Sequence, residues 1–451
     1  MRTLAFLLSC TAAFVMAACT SAPRAPQAAT ETVTAAAPVA HACPPEVPAA
    51  TRCFTGEDGA GAFYWIALPA DWDKQVLVMH AHGGPADTGP AKLERSEEDL
   101  KRWAITVKAG YAWATYRRGG YGVTMAAEDT ERLRRIVVAN FGRPRRTILH
   151  GQSYGGGVAA KGAELYATMD GKRGPYDAVL LTSGVIGGGT RNYGFRLDLR
   201  VVYQYVCRNH PRPDEEQYPL WMGVPPNSKL TRAELAARID ECTGIRKPAA
   251  QRSDTQKTNL ATILEVVKIP ERTFVGHMNW ATWLFHDVTQ LRLAGRNPFD
   301  NSRTVYSGSR DDAALNAGVL RYTADPQAVA ALATDSDLTG MVNVPTLTMH
   351  AIDDPTAFVE LESVYRDVRE RAGTAGLLVQ TFTDEREHSY LSDPEYVALF
   401  ASLLDWADKG DKPTPASVLA RCRALEATYG AGCHLRPEFT PQALDARAAR
   451  R

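Results

Sequence analysis

Along the chain, short apolar runs alternate with longer stretches in which apolar residues recur at helical spacing. Residues 62–68 (Ala-Phe-Tyr-Trp-Ile-Ala-Leu) predict an early strand, closed by Pro69 and the Asp71-Trp72-Asp73 turn. Residues 75–80 predict a buried strand, and further strands fall at 111–116, 146–150, 176–181, 344–350 and 377–382. Helices are predicted over 93–109, 126–141, 156–165 and 394–408, the second stopping at Gly142. Strand and helix in this alternation predict an α/β fold: a mostly parallel sheet with helices on both faces and functional loops at the strand C-termini.

The alternation breaks between 190 and 341. That stretch is too long to be a loop, so it must fold, and it contains amphipathic patterns at 231–242 and 259–267. It also holds an aromatic run from His277 to His286 with Trp280, Trp283 and Phe285. Two readings stand: the underside of a largely helical cap lining an apolar pocket, or the cap's own core. The chain thus divides into a first core part (43–189), the cap insertion (190–341), a second core part (342–412) and a C-terminal extension (413–451). The extension ends Arg/Ala-rich and reads as a stapled segment with a frayed tail.

Residues 1–18 predict a signal peptide: Arg2 is the positive end, and 4–15 is apolar but too short to span a bilayer. Met16-Ala17-Ala18-Cys19 resembles a bacterial lipoprotein signal, which implies lipidation of Cys19. Met where Leu is usual departs from that pattern, and plain secretion after cleavage near Ala18 is the alternative. Both put the protein outside the cytoplasm, lipid-anchored in the envelope or periplasmic and secreted. Residues 19–42, mostly Ala, Pro and Thr, read as a flexible tether. Beyond Cys10 and Cys19, six cysteines fall as three local couples, and the economical pairing is Cys43–Cys53, Cys207–Cys242 and Cys422–Cys433. A metal site is the weaker reading, since no Cys-x-x-Cys or His-x-x-x-His spacing accompanies them.

Lys+Arg and Asp+Glu both number 51, so nothing points to nucleic acid. The balance argues against steering of a strongly ionic substrate by net charge, while leaving a local patch open.

The candidate chemistry starts at Gly151-Gln152-Ser153-Tyr154-Gly155. Gly-x-Ser-x-Gly arises by chance roughly once in ten chains of this length, so its context carries the reading. A strand before it and a small-residue helix after it make Ser153 the corner of a tight turn that lifts its hydroxyl clear of the sheet. The strand at 75–80 ends in His82-Gly83-Gly84-Pro85, where an acyl-transfer enzyme places one backbone N–H of its oxyanion hole. Gly83, Gly84 and Tyr154 are the candidates for that hole; a simple Gly-Pro turn is the bland reading. Arg117-Arg118-Gly119-Gly120-Tyr121-Gly122 is a further glycine-rich loop, weak as an anion site on its own.

These residues, in this order, resemble the α/β-hydrolase superfamily over roughly 60–190 and 340–410. The resemblance implies an α/β-hydrolase fold and the chain order nucleophile, acid, histidine. It places the acid in Asp353-Asp354-Pro355, with Asp354 favoured and Asp353 left open; Ala351 stands where the family more often has Gly. It places the base in the loop 383–390, at His388. His80 and His350 end buried strands and read as hydrogen-bonded core residues, while His277 and His286 lie in the insertion.

Ser153, His388 and Asp354 together imply acyl transfer to water, with no metal or organic cofactor required. The leading expectation is a carboxylic-ester hydrolase acting on a small molecule with an apolar or aromatic acyl group. An exported aminopeptidase acting on short peptides is the alternative, since His82-Gly83-Gly84-Pro85 resembles the loop of the prolyl iminopeptidases. That reading needs acidic cap residues for the amine, and Glu215-Glu216 or Asp240-Glu241 are candidates. A catalytically dead fold used for binding is the third reading. A membrane would be a partner only through the lipid anchor.

Overall fold

The computed structural model describes residues 35–84, 97–169 and 171–449. The predicted signal peptide with Cys10 and Cys19, the tether up to residue 34, Pro85 and the start of the helix predicted at 93 lie outside the described residues. Among the described residues, nine strands form one sheet. They are β1 (Val39–His41), β2 (Arg52–Glu57), β3 (Phe63–Leu68), β4 (Val76–Ala81), β5 (Ala112–Arg117), β6 (Arg146–Gln152), β7 (Ala178–Thr182), β8 (Thr346–Ala351) and β9 (Leu378–Thr383). The main helices are α1 (Glu97–Lys108), α2 (Val123–Phe141), α3 (Tyr154–Leu165), α4 (Gly194–Cys207), α5 (Arg232–Thr243), α6 (Asp254–Val267), α7 (Leu361–Arg371), α8 (Asp393–Lys409) and α9 (Pro415–Tyr429).

The sheet order is β1-β2-β3-β5-β4-β6-β7-β8-β9. Pairing is antiparallel from β1 through β3 and between β3 and β5, then parallel across the rest. Side chains alternate between the faces, as the two-residue period of a strand requires. Leu77 and Met79 pack with Leu149 and Val179 under Leu133 and Val137 of α2 and Val158 of α3. Val76 and Val78 pack with Ile148 and Leu180 under Trp103 of α1 and Leu403 of α8. Each such fully buried side chain contributes about 1.5–3 kcal/mol.

Three local differences from the pattern-based expectation have clear causes. Val39–His41 reads as the end of the tether and is exposed, yet it pairs with β2, and the Cys43–Cys53 bridge closes that hairpin. Helix α6 begins at Asp254 rather than 259, because Ser253 and Gln256 form a reciprocal capping box ahead of the apolar repeat. The described part of the C-terminal tail is docked at Ala446 and Arg447. Lys268 Nζ of the insertion donates to Ala446 O at 3.0 Å, and Arg447 pairs with Glu360 of the core at 3.6 Å.

The insertion lies between β7 and β8. Its aromatic run is helical and supplies part of the insertion's own core. Met278 and Phe285 are core, with Phe285 stacked on Phe299 at 4.2 Å between centroids. Trp280 is half-buried and lies over the Arg196 guanidinium, 4.4 Å from the ring centroid. Cys207–Cys242 joins the C-terminal ends of α4 and α5, and Cys422–Cys433 ties α9 to the segment that covers the outer edge of β9. Three disulfides fit an extracytoplasmic protein. Among the described residues no helix is long and apolar enough to cross a membrane.

Candidate active site

Ser153 stands between β6 and α3 with φ 57° and ψ −122°, a backbone conformation that non-glycine residues rarely adopt. The flanking glycines make the turn possible. A Cβ on Gly151 would lie 2.0 Å from Gly155 O, and one on Gly155 would lie 1.9 Å from Ala81 O. Both clashes are with backbone, which cannot step aside. The turn is pinned to the end of β7: Ser153 N–H donates to Thr182 O at 3.0 Å, and Val185 N–H donates to Ser153 O at 2.8 Å.

The loops after β8 and β9 bring two side chains to this corner. His388 Nε2 lies 2.7 Å from Ser153 Oγ, and His388 Nδ1 lies 2.9 and 2.8 Å from the two oxygens of Asp354. A hydrogen-bonded line therefore runs from hydroxyl to imidazole to carboxylate. Of the two aspartates left open by the sequence, Asp354 faces His388, whereas Asp353 is exposed. Asp354 is 1 % exposed, and its Oδ1 accepts N–H bonds from Thr356 (2.8 Å) and Ala357 (2.9 Å). Burial works against its charge, but His388, His350 and the Thr356 N–H outweigh burial and hold the carboxyl below the usual carboxylate range.

His350 is a hydrogen-bonded core residue, and it also stands directly behind the acid. Its Nε2 lies 3.6 Å from Asp354 Oδ2 and donates to Ala357 O at 2.9 Å, while Nδ1 lies 3.3 Å from Glu362 Oε1. Burial opposes protonation of His350, yet Glu362 and Asp354 prevail and raise its pKa above the ordinary histidine value. Glu362 itself is fully buried. A line of alternating charge thus backs the site, and its inner members carry no motif.

Arg102 of α1 is a second residue that sequence reasoning missed. Its Nε donates to the Gln152 side chain at 2.8 Å, and its Nη groups donate to Ser389 O and Leu391 O. One guanidinium therefore joins the residue before Ser153 to the loop after His388. No local pattern marks it, because its partners lie far away in the chain.

The oxyanion candidates converge on the same corner. Tyr154 opens α3, and the Gly155 contacts with Ala81 O and His82 O bring the start of the His82-Gly83-Gly84 loop directly against it. Gly84 has φ 117°, a conformation that favours glycine, and His82 Nδ1–H donates to Gly83 O at 2.6 Å. Tyr154 Oη accepts the Gly122 N–H at 3.0 Å, which ties in the glycine-rich loop after β5. Arg118 of that loop is engaged with Asp129 at 2.9 Å and with Ala60 O.

Sheet order, the strained serine corner and the two strand-end loops form one arrangement. The sheet order and the placement of the serine corner agree with the α/β-hydrolase fold expected from the sequence. The sequence matches no protein-family model and no curated protein. Among solved structures, it is similar to feruloyl esterase B from Aspergillus oryzae, at 13 % identity and a TM-score of 0.41, over 80 % of this chain and 81 % of that one. It is similar to a second esterase from Aspergillus oryzae, at 12 % identity and a TM-score of 0.40, over 80 % of each chain. A rice cell wall degrading esterase from Xanthomonas oryzae follows at 12 % identity and 0.37, over 84 % of this chain and 90 % of that one. At such identities and scores the likeness carries nothing about substrate.

The remaining sequence candidates lie apart from this α/β-hydrolase corner or have other partners. His80 and His150 are fully buried and 2.8 Å apart at their Nδ1 atoms. His286 Nδ1–H donates to Val224 O. His277 is buried beside the acid loop, donating from Nε2 to Pro355 O at 2.9 Å; burial, then the charge of Arg196, push its pKa down to about 3. Three of the four acidic residues considered for an amine are engaged on the insertion surface: Glu215 pairs with Arg238, Glu241 pairs with Arg212, and Asp240 accepts the Arg246 N–H, while Glu216 is exposed.

Proposed function

We propose that this chain is an exported serine hydrolase that cleaves carboxylic esters through an acyl-enzyme, with Ser153 as nucleophile, His388 as base and Asp354 as acid. The carrying observation is the line Ser153 Oγ–His388 Nε2 at 2.7 Å, continued from Nδ1 to a buried, ionised carboxylate. In this reading His388 takes the Ser153 proton as Oγ attacks the ester carbonyl. Asp354 fixes the imidazole tautomer and stabilises the imidazolium. The N–H groups of Tyr154 and of the Gly83–Gly84 loop hold the oxyanion, each such donor being worth about 3–4 kcal/mol in the transition state. His388 then protonates the departing alkoxide, and water repeats the sequence to release the acid. An apolar or aromatic acyl group fits the ring surfaces of Phe195, Trp280 and Phe358 near the site.

A fluorophosphonate label mapped by peptide digestion tests the assignment. It should land on Ser153, and Ser153→Ala should abolish labelling and lower ester turnover by about 10⁴-fold or more. Unchanged turnover would remove the mechanism. A p-nitrophenyl ester panel run beside a prolyl-anilide panel separates esterase from aminopeptidase. The leader leads us to propose further that Cys19 is lipidated and holds the enzyme at the envelope; the three disulfides support export, and the lipid reading rests on Met16-Ala17-Ala18-Cys19 alone.

A further inference from the structure

The insertion presents a cation to this site. Arg196, near the start of α4, is 2 % exposed. Among the described residues its guanidinium has no hydrogen bond and no ion pair, and its buried Nε and Nη1 are unpartnered. Other buried arginines among the described residues have hydrogen-bond partners, although the Arg200 Nε is likewise unpartnered. Arg200, one turn further along α4, donates to the carbonyls of Gly223 (3.0 Å) and Ala281 (3.1 Å) and to Thr282 Oγ1 (3.2 Å). Arg369 donates to Thr346, Thr374 and Val342. Arg196 is instead surrounded by rings, 5.3 Å from the Tyr193 centroid, 4.9 Å from Phe195 and 4.4 Å from Trp280. Cation–π attraction offsets part of the cost of burying the charge but satisfies no N–H.

Its place in the fold supplies the reason. Phe195, beside it in sequence, is 5.3 Å from His277, and His277 bonds Pro355 O next to the acid Asp354. On the other side Tyr193 contacts Tyr121, and Tyr121 contacts Tyr154, the residue after Ser153, each pair at 5.8 Å. The guanidinium is therefore set between two walls that both end at the Ser153–His388 corner. Asp287 Oδ2 accepts the Tyr121 N–H, and burial raises the Asp287 pKa against the opposing charges of Arg292 and His286.

We propose that Arg196 is a specificity-determining residue that binds a carboxylate on the acyl group of the substrate, so that the preferred ester carries an apolar body ending in one negative charge. A planar guanidinium with free N–H groups matches a carboxylate, and aromatic walls around a single cation suit an apolar chain with one anionic end. The proposal rests on the ester-hydrolase reading and makes it narrower.

Two esters of matched length test it: mono-p-nitrophenyl glutarate and p-nitrophenyl valerate. The wild-type enzyme should favour the glutarate ester by about tenfold or more in kcat/KM. Arg196→Met should lower kcat/KM for the glutarate ester about 100-fold and leave the valerate ester within about threefold. Equal losses on both esters, or a wild-type preference for valerate, would overturn the subsite. A second readout needs no chemistry: millimolar glutarate, but not valeramide, should raise the melting temperature of the wild type and not that of Arg196→Met. If neither ester is turned over, a glutarate-specific shift upholds the subsite while the esterase reading fails, and no shift overturns both. If Arg196→Met does not fold, the ester preference and the shift of the wild type decide alone.

Discussion

The charge on Asp354 is held from behind. His350, whose pKa is raised by Glu362 and Asp354, faces one side of the carboxylate while His388 faces the other. Asp354→Asn, which breaks that line and favours the wrong imidazole tautomer, should lower kcat by about 10⁴-fold. Asp353→Asn, on an exposed neighbour, should stay within about threefold; steady-state kinetics on one p-nitrophenyl ester decides, and the reverse ranking would move the acid. His277 predicts a pH effect on stability. Its folded pKa, about 3, lies below the ordinary 6.5, so the unfolded chain binds the extra proton first. The stabilisation is complete above pH 6.5 and is lost as pH falls toward 3, by about 2 kcal/mol at pH 5. His277→Gln should flatten that part of a urea-unfolding pH series, and an unchanged slope would refute the assignment. At this scale Ser153, Asp354 and His388 were readable as candidates because each sits in a short strand-end pattern. Arg102, Glu362 and Arg196 were not, since what defines each is a set of neighbours remote in sequence.

Two elements meet at Ser153, and one side chain locks them to a third. The β6–α3 corner is fixed by close backbone approach at Gly151 and Gly155, while the β9–α8 loop that carries His388 is held by hydrogen bonds such as Arg272 to Arg386 O and Asp384 N–H to His434 O. Arg102 joins the two by bonding Gln152, Ser389 and Leu391 together, with its guanidinium 4.8 Å from the Tyr396 ring centroid. Arg102→Met should therefore loosen the placement of His388 rather than the binding of substrate. We expect kcat to fall by about 10- to 100-fold with KM within about threefold, and fluorophosphonate labelling of Ser153 to slow in parallel. A change confined to KM would show that the residue acts elsewhere. Most strands and helices were legible from period and punctuation. The exposed β1 was not, because it has no buried face to generate an alternating pattern, and the start of α6 was hidden because its first turn is polar.

For the whole molecule, the α/β order and the long insertion were visible in the sequence, and the docking of Ala446 and Arg447 was not: an Arg/Ala-rich segment gives no sign of partners it meets only after folding. The three bridges are local in sequence, so each cross-links one region: the first hairpin, the insertion, and the C-terminal extension. At about 2–4 kcal/mol each, they secure parts rather than the assembly of parts. Location belongs to this scale as well. If Cys19 carries lipid, Cys19→Ala should move the protein from the membrane pellet to the soluble fraction while leaving esterase activity per molecule unchanged. Equal partitioning of both forms would favour plain secretion.

The clasp formed by Ala446 and Arg447 has a practical side. Besides reaching Lys268 and Glu360, Arg447 lies 4.9 Å from the Phe358 ring centroid, and Phe358 in turn packs on Phe195 at 4.6 Å. A purification handle or surface linker fused at the carboxyl end would pull on this latch, three contacts from Arg196, and substrate preference measured on such a fusion would report the attachment as much as the enzyme. Immobilising the protein through its amino-terminal side, at the opposite margin of the sheet, leaves the latch unloaded.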